Sequence, residues 1–247
     1  MIHFGENDMY KNGLLALALF ATTQAYAADI TQWNFNSVVA DNSTATGSLI
    51  ASTGTGSAIT LGAVTQLFAS GAANAGSSDP AATDNSGWQT LTYAAQGTNN
   101  KLTGVQFNVS TLGFEDIVLA YDIRHSNTSS RYEQVQYSLD GINFVDVALF
   151  DGNAGDTWFN QRTVDLSAIA GANNNASFAF RVVSAFAPNT SSYAASSASG
   201  SYSASGTWRF DMVTVSGNTI APVPEPETFA MLLAGLSILG FSARRQQ

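Results

Sequence analysis

The sequence predicts an all-β, jelly-roll-like antiparallel sandwich between residues 28 and 217, and three observations carry that prediction. Apolar and polar residues alternate with period two in run after run. Turn residues separate the runs at short intervals, and no long amphipathic helical pattern interrupts them. The chain between residues 28 and 221 is also the size of one domain with a substantial core.

Taken in order, the expected strands are 30–35, 57–68, 88–93, 101–109, 115–124, 132–139, 143–150, 159–166, 177–186 and 207–215. The clearest is 115–124, where Ile117, Leu119, Tyr121 and Ile123 alternate with Val118, Ala120, Asp122 and Arg124. One face is wholly apolar and the other turns polar at its end, which predicts a central strand of a sandwich. Asp140-Gly141 between two β-patterned runs predicts a tight hairpin, because both residues tolerate positive φ. Val135, Tyr137 and Leu139 would then face the core beside Phe144 or Val145 of the returning strand. Residues 164–171 read as a strand ending in one helical turn capped by Gly171, the one ordered helix expected in the body. Trp33, Trp88, Trp158 and Trp208 read as core. Residues 71–87 and 189–206, rich in Ser, Ala, Gly and Asn, read as long mobile surface loops.

This middle, from the Val-Gln-Tyr-Ser-Leu-Asp-Gly run at 135–141 to Trp208-Arg209-Phe210-Asp211-Met212-Val213, resembles the jelly-roll domains of bacterial surface proteins. Such domains serve as carbohydrate-binding modules, adhesion domains and inert spacers alike, so the resemblance implies a fold and leaves activity open.

The two ends read as targeting segments. Residues 13–21 form a short apolar region, and Ala25-Tyr26-Ala27 supplies the small residues a signal peptidase reads, so residues 1–27 are an expected signal peptide cleaved after Ala27. Glu6 and Asp8 give the first residues the wrong charge, whereas a start at Met9 leaves Lys11 alone; Met9 is the expected initiator. At the other end, prolines at 222, 224 and 226 forbid helix and impose an extended tether over 218–228. The apolar stretch 229–243 would be about 22 Å long as a helix, against a hydrocarbon core of about 30 Å. It is a short transmembrane helix only if Arg244 and Arg245 snorkel; these resist translocation and keep the tail 244–247 cytoplasmic.

The order Pro224-Glu225-Pro226, apolar stretch, Arg244-Arg245 resembles the PEP-CTERM sorting signal of Gram-negative exported proteins. That resemblance implies cutting by an exosortase near the tripeptide. It implies an inner-membrane-anchored intermediate and then release to the cell surface or matrix.

Composition narrows the function classes. Residues 28–221 carry six Lys or Arg against fourteen Asp or Glu, so a nucleic-acid partner is not expected. There is no cysteine, and His125 is the one histidine after residue 27, which leaves no zinc set and no thiolate nucleophile. No Gly-x-Ser-x-Gly elbow occurs. His125 reads as a surface histidine at a strand end. Glycoside hydrolysis needs two flanking carboxyl groups, and Glu115, Glu133 and many aspartates single out no pair. No catalytic residue and no cofactor is assigned. Asp151, Asn153 and Asp156 have calcium-ligand chemistry within six positions, although Asp-Gly-Asn is also turn chemistry.

One polar constellation is more pointed. Asp122 with Arg124, Arg181, and Arg209 with Asp211 would line one sheet if their strands were neighbours, either as ion pairs or as a speculative glycan face. The expected function is therefore an exported, non-catalytic structural or adhesive component of an exopolysaccharide matrix or biofilm. The alternative is a carbohydrate-binding module. Expected partners are signal peptidase, exosortase and exopolysaccharide, with the membrane met only through the C-terminal helix.

Overall fold

The computed structural model describes residues 27–221, together with 233–235, 237 and 244 in the C-terminal tail. Eleven strands form in chain order: β1 Ala27–Trp33, β2 Gly56–Leu61, β3 Thr65–Ser70, β4 Ser86–Leu91, β5 Gly104–Val109, β6 Phe114–His125, β7 Tyr132–Ser138, β8 Val145–Asp151, β9 Thr157–Asp165, β10 Ala179–Ala185 and β11 Trp208–Thr219. They build two antiparallel sheets. The first runs β3-β4-β11-β6-β9, with β1 beside β11 as well, and the second runs β2-β5-β10-β7-β8. β4 pairs with residues 208–210 of β11 and β1 with residues 213–218, so the two share one side of that long strand end to end.

The sandwich core follows from the alternation. Ile117, Leu119, Tyr121 and Ile123 of β6 are all buried, facing Val105, Phe107, Phe180, Val182 and Val135 of the second sheet. Trp33, Trp88 and Phe107 form its aromatic centre: Trp33 and Trp88 lie 5.1 Å and 5.9 Å from Phe107, and Phe107 stacks on Phe180 at 4.8 Å.

Several expectations change. The single strand expected over 57–68 is two, β2 and β3, in different sheets, because the chain turns at Gly62 with φ +68°. The tight Asp-Gly hairpin is a six-residue connection, 139–144, in which the Asp140 carboxylate accepts the backbone N–H of Ile142 and Asn143. These bonds, led by Asn143, hold the Asp140 carboxyl well below its usual range. Leu139 lies in that connection, 39% exposed, instead of facing the core. The helical turn is a 3₁₀ turn at Ala170–Ala172 with Gly171 inside it, not a capping glycine.

Trp158 is buried outside the sandwich core, beneath residues 71–77, where its indole N–H donates to the Ala73 carbonyl at 2.8 Å. The expected signal peptide, the Met9 start and Ala25 lie outside the described residues, and Ala27 opens β1. So do Pro224, Glu225, Pro226 and Arg245; Arg244 is described as helical and exposed. Among the described residues no helix is long and apolar enough to cross a membrane.

Candidate functional site

The five charged residues picked from the sequence divide between two sheets. Asp122 and Arg124 lie on β6, Arg209 and Asp211 on β11, and the registers pair Asp211 with Asp122 and Arg209 with Arg124. These four share the outer face of the first sheet. Arg181 lies on β10 of the second sheet. The single charged surface expected from the sequence therefore does not form.

The Arg209–Asp211 end of the first sheet's outer face is covered, while Ala120, Thr163, Thr214 and Ser216 further along line a surface hollow. Connection 71–85 lies across the covered end and is held there by the two carboxylates, which are almost wholly buried. Asp211 accepts the Ser77 hydroxyl at 2.7 Å and the Met212 backbone N–H at 2.8 Å. Asp122 accepts the backbone N–H groups of Ser78 and of Gln161. Gly71 sits so close that a Cβ there would lie 1.7 Å from Asn85 Oδ1 and 2.7 Å from Asp211 Oδ2. The loop expected to be mobile is thus pinned, since a carboxylate buried beneath it needs its N–H and O–H donors.

Burial pushes the Asp211 carboxyl up to about 8, against the pull of Ser77 and Met212. Arg209 donates to the Ser70 carbonyl at 2.6 Å and to Gln89 Oε1, and burial, then the neighbouring Arg124, lowers it to about 10. Arg124 is spent on Asp156 at 2.6 Å. The Nε of Arg124 is buried without a partner among the described residues.

The second sheet's outer face is partly open: Ile59 and Asp146 are exposed and Arg181 is half-buried, whereas Gln106 and Gln136 are buried. A row crosses all five strands: Ile59 on β2, Gln106 on β5, Arg181 on β10, Gln136 on β7 and Asp146 on β8. Arg181 Nε donates to Gln106 Oε1 at 2.7 Å, and the Gln106 amide donates to Asn108 at 2.6 Å. The guanidinium lies 3.5 Å from the centroid of Phe144, in cation–π contact. Gln136 donates to Asp146, whose other oxygen pairs with Lys101. Among the described residues Arg181 pairs with no carboxylate. Gln106 and Gln136 escaped the sequence reading, and Phe144 and Val145, one of them expected in the core, lie against Arg181 and exposed to solvent respectively; the alternation of Gln134, Gln136 and Ser138 along one strand face was the signal for part of this row.

His125 is a correction. It is fully buried, because the inward phase of β6 simply continues from Ile123 to 125. Its Nδ1 lies 2.9 Å from the Ser130 carbonyl and its Nε2 3.5 Å from buried Glu133. Glu133 also accepts the Tyr121 hydroxyl at 2.9 Å and Arg162 Nε at 3.2 Å. Burial, followed by Glu133, raises the Tyr121 phenol well above its usual range. This network lies between the sheets.

The calcium-type residues have other partners. Asp151 takes a bidentate pair from Arg131 at 2.6 and 2.7 Å, and Asp156 accepts from Arg124 and Asn127. Among the described residues no three His, Cys, Asp or Glu side chains converge as a metal cage. The long connection 186–207, also expected to be mobile, spends both its tyrosines internally. Tyr193 and Tyr202 stack at 4.6 Å, and their hydroxyls donate to the carbonyls of Thr98 and Ala94.

The fold and the C-terminal sorting motif together define an exported β-sandwich that is anchored in a membrane while it is sorted. Residues 222–246 match the PEP-CTERM protein-sorting motif, which implies processing by exosortase. No curated protein matches the chain. Among solved structures, it is similar to the CBM22-1 and GH10 modules of Clostridium thermocellum endo-1,4-β-D-xylanase 10B complexed with xylohexaose, at 14% identity and TM-score 0.42, covering 67% of this chain and 27% of that one. It is similar to the CBM22 tandem domain of Paenibacillus barcinonensis Xyn10C at 10% identity and TM-score 0.44, covering 80% and 50%. The K1 cleaved adhesin domain of Lys-gingipain from Porphyromonas gingivalis W83 is similar at 13% identity and TM-score 0.41, covering 79% and 99%. The chain thus spans about a quarter of the xylanase chain and half of the tandem-domain chain.

Proposed function

We propose that the protein is a non-catalytic structural or adhesive component of the cell surface or exopolysaccharide matrix of a Gram-negative bacterium, released there after exosortase processing. We further propose that it holds polysaccharide through the outer face of the second sheet. The observation that supports this reading is Arg181. Its fork is fixed by Gln106, backed by Phe144 and free of any carboxylate partner among the described residues. A pre-oriented, half-exposed guanidinium offers its remaining N–H donors to sugar hydroxyls at little entropic cost. A row running across five strands suits an extended chain rather than a monosaccharide.

Retention of the purified protein on the producing organism's exopolysaccharide tests it. Wild type is retained, and Arg181→Ala and Phe144→Ala are lost to the flow-through while their melting temperatures stay close to wild type. Equal retention of both variants, or none by wild type, removes the reading. The sorting half is tested separately by fractionating a Pro224→Ala, Glu225→Ala double variant, which should stay full-length in the inner membrane.

A further inference from the structure

Three connections meet at one end of the sandwich: 110–113 between β5 and β6, 139–144 between β7 and β8, and 166–178 between β9 and β10. Asn175 ties them together, accepting the Thr111 N–H on its backbone carbonyl at 2.8 Å and donating its side-chain amide to the Leu139 carbonyl at 3.0 Å. Both ends of the described body, Ala27 and Ala221, lie here. Ala27 pairs with Asn218 and Thr219 with Phe114, and the Ile220 N–H donates to the Gly113 carbonyl at 2.8 Å.

This end carries exposed apolar side chains: Ile142 at 78%, Leu112 at 54% and, less so, Leu139 and Ile220. No basic residue lies on the three connections. Their charged residue, Asp140, turns its carboxylate onto the N–H groups of Ile142 and Asn143, and acidic Glu115 and Asp116 follow at the start of β6. Val38, Val39 and Ile50 are exposed as well, but on the connection that leaves the far end of β1.

We propose that Leu112, Ile142 and Ile220 rest this end of the sandwich on the zwitterionic lipid surface of the membrane that holds the sorting intermediate. The inference rests on that anchored stage and not on the polysaccharide reading. Chain length sets the geometry: eight residue steps separate Ala221 from Phe229, where the apolar stretch begins, so this end lies within about 29 Å of it. A few apolar side chains are too little to hold a free protein on lipid. Tethered, they act at an effective concentration of about 1 mM, and a weak contact suffices. Apolar tips on separate segments, with no basic residue among them, suit a fluid bilayer interface better than a shaped protein partner, and the acidic flank selects zwitterionic over anionic headgroups. Docked, this end keeps Pro224, Glu225 and Pro226 beside the membrane. Cutting the tether removes the local concentration and frees the body.

The chain has no cysteine, so a single introduced one can carry a fluorescent label. Ser110→Cys reports on this end, and Ser199→Cys, exposed on the connection before β11, reports on the opposite one. The full chain is reconstituted into phosphatidylcholine vesicles that contain nitroxide-labelled lipid, and flotation with the vesicles checks that it is anchored. The Ser110 label should be quenched more strongly than the Ser199 label. Adding Leu112→Ser with Ile142→Ser should abolish that excess at unchanged melting temperature, because both side chains are exposed. Flotation with equal quenching at the two positions overturns the proposal and leaves the anchored stage standing, whereas a chain that does not float removes both. An excess that survives the double substitution, or that appears only when exosortase is added to the vesicles, also overturns it.

Discussion

The two outer faces of the sandwich carry nearly the same row of residues and put it to opposite use. Across the first sheet the row reads Leu67, Gln89, Arg209, Arg124, Trp158; across the second it reads Ile59, Gln106, Arg181, Gln136, Asp146. In each, a glutamine oxygen accepts the arginine Nε–H. Over the first row lies connection 71–85, so Arg209 is 9% exposed and spends its remaining donors on Ser70 and Gln89. Over the second row lie Phe144, stacked on Arg181, and Lys101, paired with Asp146, and the Arg181 fork remains partly open. The same residue pattern is structural where a loop covers it and available where none does. What selects between them is a pair of buried aspartates on one face that has no counterpart on the other.

The largest expected effect comes from removing an anchor of that cover. Asp122→Ala leaves the Ser78 and Gln161 N–H groups without their acceptor and should cost about 3 kcal/mol in urea denaturation. The same substitution should also raise amide exchange across 71–85. If stability and exchange there match wild type, the loop is not held by the carboxylates and the contrast between the faces fails.

Next in size, Gly71→Ala places a methyl against Asn85 and Asp211 and should cost roughly 1–3 kcal/mol, read in the same way. Asp211 also gives the covered end a pH signature. Its carboxyl is raised from 3.8 to about 8, first by burial, so the folded chain holds a proton that the unfolded chain releases above about pH 4. Stability from this group is complete below that pH and falls as the pH rises towards 8, by at most about 1.4 kcal/mol per pH unit. Asp211→Asn should flatten that fall, so the variant gains on wild type between pH 5 and pH 8, as pH-dependent melting would show; an unchanged slope assigns the titration elsewhere.

The smallest stability effect belongs to the partly open face. Arg181→Ala should change unfolding free energy by only about 1 kcal/mol, since it forfeits one half-buried charge-assisted hydrogen bond to Gln106 and one partly exposed cation–π contact. A loss as large as that of Asp122→Ala would make the two rows equivalent and both structural.

How far these faces were legible in the sequence differs in the same way. Alternation within β6 marked Ile117 to Ile123 as inward and Asp122 and Arg124 as outward, and both assignments hold. The same phase, carried two residues further, places His125 inside, where it is found. Strand neighbours were not legible: β11 lies between β4 and β6, whereas β10 lies in the other sheet between β5 and β7, so Arg181 is separated from Arg209 by the thickness of the sandwich. The Ser/Ala/Gly/Asn content of 71–87 suggested mobility because it lacks apolar anchors. Its anchors are Ser77 and Ser78, polar groups whose partners sit more than forty positions away.

Local pattern alone therefore settled the all-β class, the inward phase of β6 and the sorting motif at 222–246, since period-two burial and a contiguous proline-apolar-basic order are properties of neighbouring residues. Tertiary structure decided which charged residues meet, which loop is pinned and which face stays partly open. Those outcomes depend on sheet order and on hydrogen bonds between distant segments, and a buried carboxylate can recruit its donors from any part of the chain that the fold brings within about 3 Å.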